Sequence, residues 1–137
     1  MSEKIIVNSA PEPVGAYPHA RKVGNLLFLS GVGPRKKGSK EIPGVTLDVN
    51  GNIKSYDVEV QTKAVIENVK NILEASDSSL DKVVDVMVFL TNMKNDFKKF
   101  NEVYAKTFAK IGATRTTVEV GALPTPIAVE FKVIATI

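Results

Sequence analysis

The sequence predicts an α+β protein in which two helices pack on one face of a single β-sheet. Two observations lead to this prediction. Apolar side chains recur at helical spacing in two segments, 55–75 and 97–112, and short apolar or β-branched runs precede, separate and follow these segments. The resulting order is β-β-α-β-α-β-β. With 137 residues and no internal boundary, the chain is expected to form one domain, 1–137.

The first third of the chain predicts short strands joined by turns. Residues 4–7 form a brief apolar run, and residues 26–30 form a stronger one that Gly31 ends. The stretch between them, 10–18, contains three prolines and is not expected to form a regular helix. The longest predicted loop spans residues 33–44, and Asn50-Gly51 predicts a tight turn between two short extended pieces.

Both helices are predicted from their apolar stripes. In the first, Ser55 is placed as the N-cap, and the helix is expected to end near Ala75. An almost continuous apolar run over 82–91 then predicts a buried strand. The second helix carries an aromatic stripe, interpreted as core, and is expected to stop at Gly112.

The last quarter, 113–137, reads as two strands joined by a Gly/Pro turn and therefore predicts a strand pair. Arg115 begins the first strand, and Glu130 lies inside the second. A guanidinium is permanently charged and offers a planar fork to a carboxylate, whereas a carboxylate in apolar surroundings can handle protons. On composition alone, a salt bridge or two solvated edge charges explain these residues equally simply.

Composition excludes several kinds of chemistry. The chain has no cysteine, which excludes disulfides and thiolate nucleophiles. Its one histidine, His19, has no acidic partner nearby in sequence for a catalytic triad, and a His-based metal site would need at least one more histidine. His19 is expected to be a surface or packing residue. The net charge of +3 is too small to indicate a nucleic-acid partner, and no run reaches transmembrane length. We therefore expect a cytoplasmic protein.

The strand patterns also predict self-association. Apolar residues occupy both faces of the run 82–91, and apolar and polar residues alternate on the last strand. Because two helices cover only one face of the sheet, the other face is expected to be buried against another subunit.

An ordered series of motifs resembles the reactive-intermediate deaminase family (Rid, formerly YjgF). The motifs are Gly15-Ala-Tyr17, Leu29-Ser-Gly31, Phe100-Asn-Glu-Val-Tyr104, Arg115-Thr-Thr-Val-Glu-Val120 with Leu123-Pro124, and Val129-Glu130. The resemblance covers nearly the whole chain. It implies a chorismate-mutase-like mixed sheet, a homotrimer with sites in the clefts between subunits, and hydrolysis of reactive enamines and imines to oxo-acids and ammonia without a cofactor.

The resemblance also implies roles for individual residues. Arg115 matches the arginine that binds the substrate carboxylate, and Glu130 matches the glutamate that activates water. The matched pocket residues are Tyr17, Ser30, Gly31, Asn101 and Thr117; Thr117 stands where many relatives carry cysteine. Glu119 is interpreted as structural support.

The loop after Gly31 looks like that of the 2-aminomuconate deaminases within this family. A dicarboxylate substrate requires a second cation, and Arg35 is the candidate, although a solvated basic loop explains it as well. The alternative from another class is a ligand-sensing or regulatory module without turnover. Its basic cluster, 35–40, could contact RNA, but the chain lacks the aromatic and basic interleaving typical of RNA modules.

Overall fold

The computed structural model describes residues 2–137 and contains eight strands and two α-helices. The elements in chain order are β1 (Ser2–Ile5), β2 (Ala20–Val23), β3 (Leu26–Leu29), β4 (Val45–Leu47), β5 (Ile53–Tyr56), α1 (Val58–Ala75), β6 (Val83–Leu90), α2 (Met93–Phe108), β7 (Thr114–Glu119) and β8 (Val129–Thr136). Six strands form one mixed sheet in the order β1-β2-β3-β8-β6-β7, and β4 pairs with β5 in a separate ribbon.

The predicted architecture is confirmed, with both helices on one face of the sheet. That face is fully buried along β6 and β8, where Val86, Val88, Phe131 and Val133 have no exposed surface. The helices supply the other half of the core, including Val65 and Leu73 from α1 and Phe100 from α2. Packing of these stripes against the alternating strand residues holds the layers together.

The predicted pairing of the last two strands is wrong. β6 lies between them: β7 pairs with β6 in parallel, and β8 pairs with β6 in antiparallel orientation. β7 and β8 both pair with β6 because the apolar run of β6 can then be buried between two strands. A hairpin of β7 and β8 would leave β6 at the sheet edge. Arg115 consequently lies on an edge strand and Glu130 on a central one.

Several element boundaries also differ from the sequence-based expectation. Asp57, not Ser55, caps α1, because its carboxylate accepts the N–H groups of Glu59 and Val60. The predicted first strand begins earlier, at Ser2, and β2 was not predicted. α2 ends at Phe108 rather than Gly112, which lies with φ 75° in the turn that follows.

The second face of the sheet has no covering layer in the single chain. We call it the open face. Its apolar members are exposed or half-exposed, and all but Val118 occupy central strands: Leu26, Phe28, Met87, Phe89, Val118 and Ile134. Glu130 and Lys132 stand among them, and burial lowers the pKa of the Lys132 amine. A monomer rarely leaves such a continuous apolar surface in water.

Candidate functional site

Glu130 lies on the open face at the end of β8, half-buried beside the loop that follows β3. The residue next to it in sequence, Phe131, exchanges two backbone hydrogen bonds with Val32, of 2.8 and 2.9 Å, and this bridge fixes the loop against β8. Gly31 therefore faces the carboxylate directly: a Cβ atom at this position would lie 2.7 Å from Oε2 of Glu130. Any larger residue at this position would require the Glu130 carboxylate to move.

The surroundings of Glu130 favour a proton-handling carboxyl group. Burial raises the pKa of Glu130 above its ordinary value of 4.5, and the positive charge of Arg35 opposes that shift. Both groups line one narrow cleft together with Tyr17 and Gly31. We call this space the Glu130 cleft. It unites four of the residues predicted from the sequence.

A stability measurement checks this shifted pKa without any assay of activity. A carboxyl group whose pKa is raised by folding stabilises the protein fully below its unfolded pKa, and this contribution is lost as the pH rises through the folded pKa. We therefore expect Glu130→Gln to unfold at a higher temperature than the wild type at pH 7. The difference should vanish below pH 4.5, the ordinary value for the group. A difference that does not change with pH would contradict the assignment.

Tyr17 lines the Glu130 cleft, and Ser30 supports the loop that carries Tyr17. Tyr17 is partly exposed, and its hydroxyl oxygen accepts the N–H of Val14 at 3.3 Å. The Ser30 hydroxyl donates to the carbonyl of Pro18 at 2.7 Å, so it braces the loop that carries Tyr17. Ser30 lines a small cavity next to the cleft rather than the cleft itself.

Hydrogen bonds hold both the backbone and the side chain of Arg35 in place. The amide of Asn68 on α1 donates to the carbonyls of Gly33 and Arg35 at 2.9 and 2.7 Å, and the Arg35 guanidinium donates to the carbonyl of Glu12 at 2.8 Å. Within residues 2–137 the guanidinium forms no ion pair. Its charge is therefore available to an anion in the Glu130 cleft. Asn68 was missed in the sequence because an asparagine inside a helix gives no signal of its own.

Arg115 belongs to a separate group of residues on the helix-covered side of the sheet. Its guanidinium lies 4.7 Å from the ring centre of Tyr104 and 5.5 Å from that of Phe100, and it donates to Oδ1 of Asn101 at 2.8 Å. Thr117 shares this face of β7, with its buried hydroxyl unpaired in the described chain. We call Arg115, Asn101, Thr117 and Tyr104 the Arg115 cluster.

The Arg115 cluster and the Glu130 cleft do not meet within one chain. Arg115 pairs with Val86 and, through β6, with Val133, both of which point to the helices. Glu130 is three residues from Val133 on the same strand, so its side chain points to the opposite face of the sheet. A single chain thus presents two separate groups of residues, one around Arg115 and one around Glu130.

Glu119 supports α2. Its carboxylate accepts the N–H of Met93, the first residue of that helix, at 2.9 Å. This contact stabilises the positive end of the helix. The support expected from the sequence was of the strand or of the trimer, which stays a prediction. No cluster of three or more His, Asp or Glu side chains that could hold a metal occurs within residues 2–137. In the same range no helix is long and apolar enough to cross a membrane.

Comparison with known proteins identifies the family. A family model described as Endoribonuclease L-PSP matches residues 7–137, and a RutC family protein from Pyrococcus horikoshii is 43% identical over 135 residues, 98% of each chain. The chain belongs to the Rid family. The fold agrees, because the crystal structure of the yeast protein YEO7 superposes with a TM-score of 0.87 at 40% identity, over 99% of this chain and 98% of that one.

A further member of the Rid family carries a functional name. Reactive Intermediate Deaminase A of Arabidopsis thaliana, a chloroplastic protein, is 36% identical over 135 residues, which are 98% of this chain and 66% of the plant protein. Because that relative is chloroplastic, the cytoplasmic location expected for the present chain stays a prediction.

Proposed function

We propose that this protein hydrolyses reactive enamines or imines that carry a carboxylate, with an oxo-acid and ammonia as products. The observation that carries the proposal is the half-buried Glu130 with its raised pKa, placed against Gly31 in a narrow cleft. Membership of the Rid family and similarity to a reactive intermediate deaminase support it. The test is ammonia release in a coupled assay with 2-aminoacrylate or 2-aminomuconate generated in place, measured against the uncatalysed background.

In this proposal the active site forms between two copies of the chain. The open face needs a cover, and in the proposed assembly the edge strand β7 of a second copy, which carries Arg115, lies beside the Glu130 cleft of its neighbour. A homotrimer, as the family resemblance implies, would contain three such sites. Each would combine the guanidinium fork of one subunit with the carboxylate of the next.

The proposed reaction needs one water and one proton carrier. An enamine becomes an imine when a proton moves from its nitrogen to its carbon. Water then adds to the imine carbon while Glu130 takes a proton from the water and gives it to the nitrogen, which forms a carbinolamine. Glu130 then moves the proton of the new hydroxyl group to the amine, the C–N bond breaks, ammonia leaves and the carbonyl forms. Arg115 holds the substrate carboxylate and so places the imine carbon opposite Glu130, which makes the addition effectively intramolecular.

Arg35 is proposed to select substrates with a second carboxylate, of the 2-aminomuconate type. It lines the Glu130 cleft and forms no ion pair within residues 2–137. We expect Arg35→Ala to lower kcat/KM for the six-carbon dicarboxylic enamine by about tenfold or more, the cost of one charged hydrogen bond, and to affect 2-aminoacrylate turnover much less, through the pKa of Glu130 alone.

Lys37→Ala is the matched control for this prediction. Lys37 lies in the same loop but pairs with Glu12 at 2.7 Å and does not line the Glu130 cleft, so both substrates should be unaffected. Equal turnover of the dicarboxylic enamine by wild type and Arg35→Ala would remove Arg35 from the site. An equal loss on both substrates would give it a general role instead of selectivity.

A second candidate is a regulatory module that contacts RNA. The description of the matching family model names an endoribonuclease, and Lys36, Lys37 and Lys40 are exposed on one loop. Affinity for RNA that falls steeply with salt concentration would favour this candidate, whereas weak affinity that salt does not change would remove it.

A further inference from the structure

His19 fastens together three segments around the Glu130 cleft. Its backbone N–H donates to the carbonyl of Ile5 at 3.0 Å, and its carbonyl accepts the N–H of Ser30 at 3.0 Å. The side chain is buried, with 6% of its surface exposed, and it lines the cavity next to the cleft together with Tyr17 and Gly31. The sequence indicated a surface or packing residue, and the structure shows a buried one with both ring nitrogens engaged.

The hydrogen bonds of the ring fix its protonation state. Nδ1 lies 3.0 Å from the backbone N of Val7, which can only donate, so Nδ1 must accept. The proton of the neutral ring is therefore assigned to Nε2, which donates to the carbonyl of Pro11 at 2.8 Å. Both partners lie at the start of the loop 7–19, which carries Tyr17 to the cleft wall.

We propose that His19 is a positioning residue that holds the loop 7–19 in place only while its imidazole is neutral. A second proton would go to Nδ1, where it would face the N–H of Val7. Two donors cannot bond to each other, so the attachment at Val7 would be lost and the loop with Tyr17 would loosen from the cleft wall. Protonation of the ring would thus weaken the site.

Two charged side chains lie near the ring. Among the described residues that line the cavity, Arg35 is charged, and α1 contributes the neutral Asn68 and Ile72. Glu12, on the loop itself, interacts with His19 electrostatically from the exposed side.

The first test is independent of catalysis. Because the chain has one histidine, its imidazole gives a single set of NMR signals. We expect nitrogen shifts of a ring protonated on Nε2 at pH 8. As that ring titrates, amide exchange at Val7 should become about tenfold faster than in His19→Gln at the same pH, which is the effect of losing one hydrogen bond. Glutamine offers one acceptor and one donor and cannot take a second charge in this range.

Three results would overturn the inference: a neutral ring protonated on Nδ1, a ring that stays neutral until the protein unfolds, or exchange at Val7 that follows the same pH course in both proteins. Failure of the proposed deaminase activity would leave these measurements unaffected.

The second test rests on the proposed function. As the pH is lowered, kcat/KM of the wild type should fall more steeply than that of His19→Gln, mainly through a rise in KM. The loss of activity caused by protonation of Glu130 is common to both proteins. Identical pH profiles would show that His19 does not position the cleft.

Discussion

Glu130→Gln is expected to lower kcat for ammonia release by about 10²–10⁴-fold, the usual contribution of one general acid–base group. Glutamine keeps the size and the position of the carboxyl group beside Gly31 but cannot exchange a proton with water or with the substrate nitrogen. KM should change little, because the substrate carboxylate is held by Arg115. Initial rates with 2-aminoacrylate and 2-aminomuconate generated in place, corrected for the uncatalysed reaction, measure the effect.

Glu67→Gln is the matched control for this change. Glu67 is an exposed residue of α1, away from the Glu130 cleft, and its conversion to glutamine should leave turnover as in the wild type. Circular dichroism and the thermal midpoint show whether each variant is folded. If folded Glu130→Gln retains more than half of the wild-type kcat, Glu130 is not the proton carrier.

Arg115→Ala is expected to lower kcat/KM by about 10²–10³-fold, because loss of one partner in a desolvated, hydrogen-bonded charge pair leaves the other charge uncompensated. Arg115→Lys should recover little of this loss. Lysine keeps the charge but lacks the planar fork and the stacking surface over Tyr104. Steady-state kinetics with both substrates separate a rise in KM from a fall in kcat.

Lys63→Ala is the control for loss of a positive charge, since Lys63 is exposed on α1. Arg115 also packs on aromatic rings of α2, so the thermal midpoint of Arg115→Ala must be compared with that of the wild type. Unchanged kcat/KM in Arg115→Ala would exclude Arg115 as the carboxylate-binding residue. A loss of activity that follows unfolding at the assay temperature would give it a structural role only.

Local pattern was sufficient to predict the elements that have strong periodicity. α1 and α2 each bury one stripe, and the near-continuous apolar run of β6 is buried on its helix-facing side. Strand partners were harder to predict. β7 and β8 are neighbours in sequence and have a turn between them, yet both pair with β6, because the gain from burying β6 centrally depends on the whole sheet.

The resemblance implied the site residues and sites between subunits, and the structure shows which of these residues one chain brings together. Tyr17, Gly31, Arg35 and Glu130 do line one cleft. Arg115 does not, since the face on which a strand residue points depends on the register of the intervening strand, which sequence spacing does not reveal. The hydrogen bonds of His19 were equally hidden, because Val7 and Pro11 offer only backbone groups.

The central claim is that Arg115 of one copy acts with Glu130 of another. The most direct test coexpresses Arg115→Ala and Glu130→Gln chains with two different tags and isolates the assemblies that carry both. Each variant alone should be inactive, and each isolated mixed homotrimer should contain about a third of the wild-type sites, because one of its three subunit junctions combines an intact Arg115 with an intact Glu130. Ammonia release near that level is the predicted result. Isolated mixed assemblies as inactive as the parent variants would contradict a shared site.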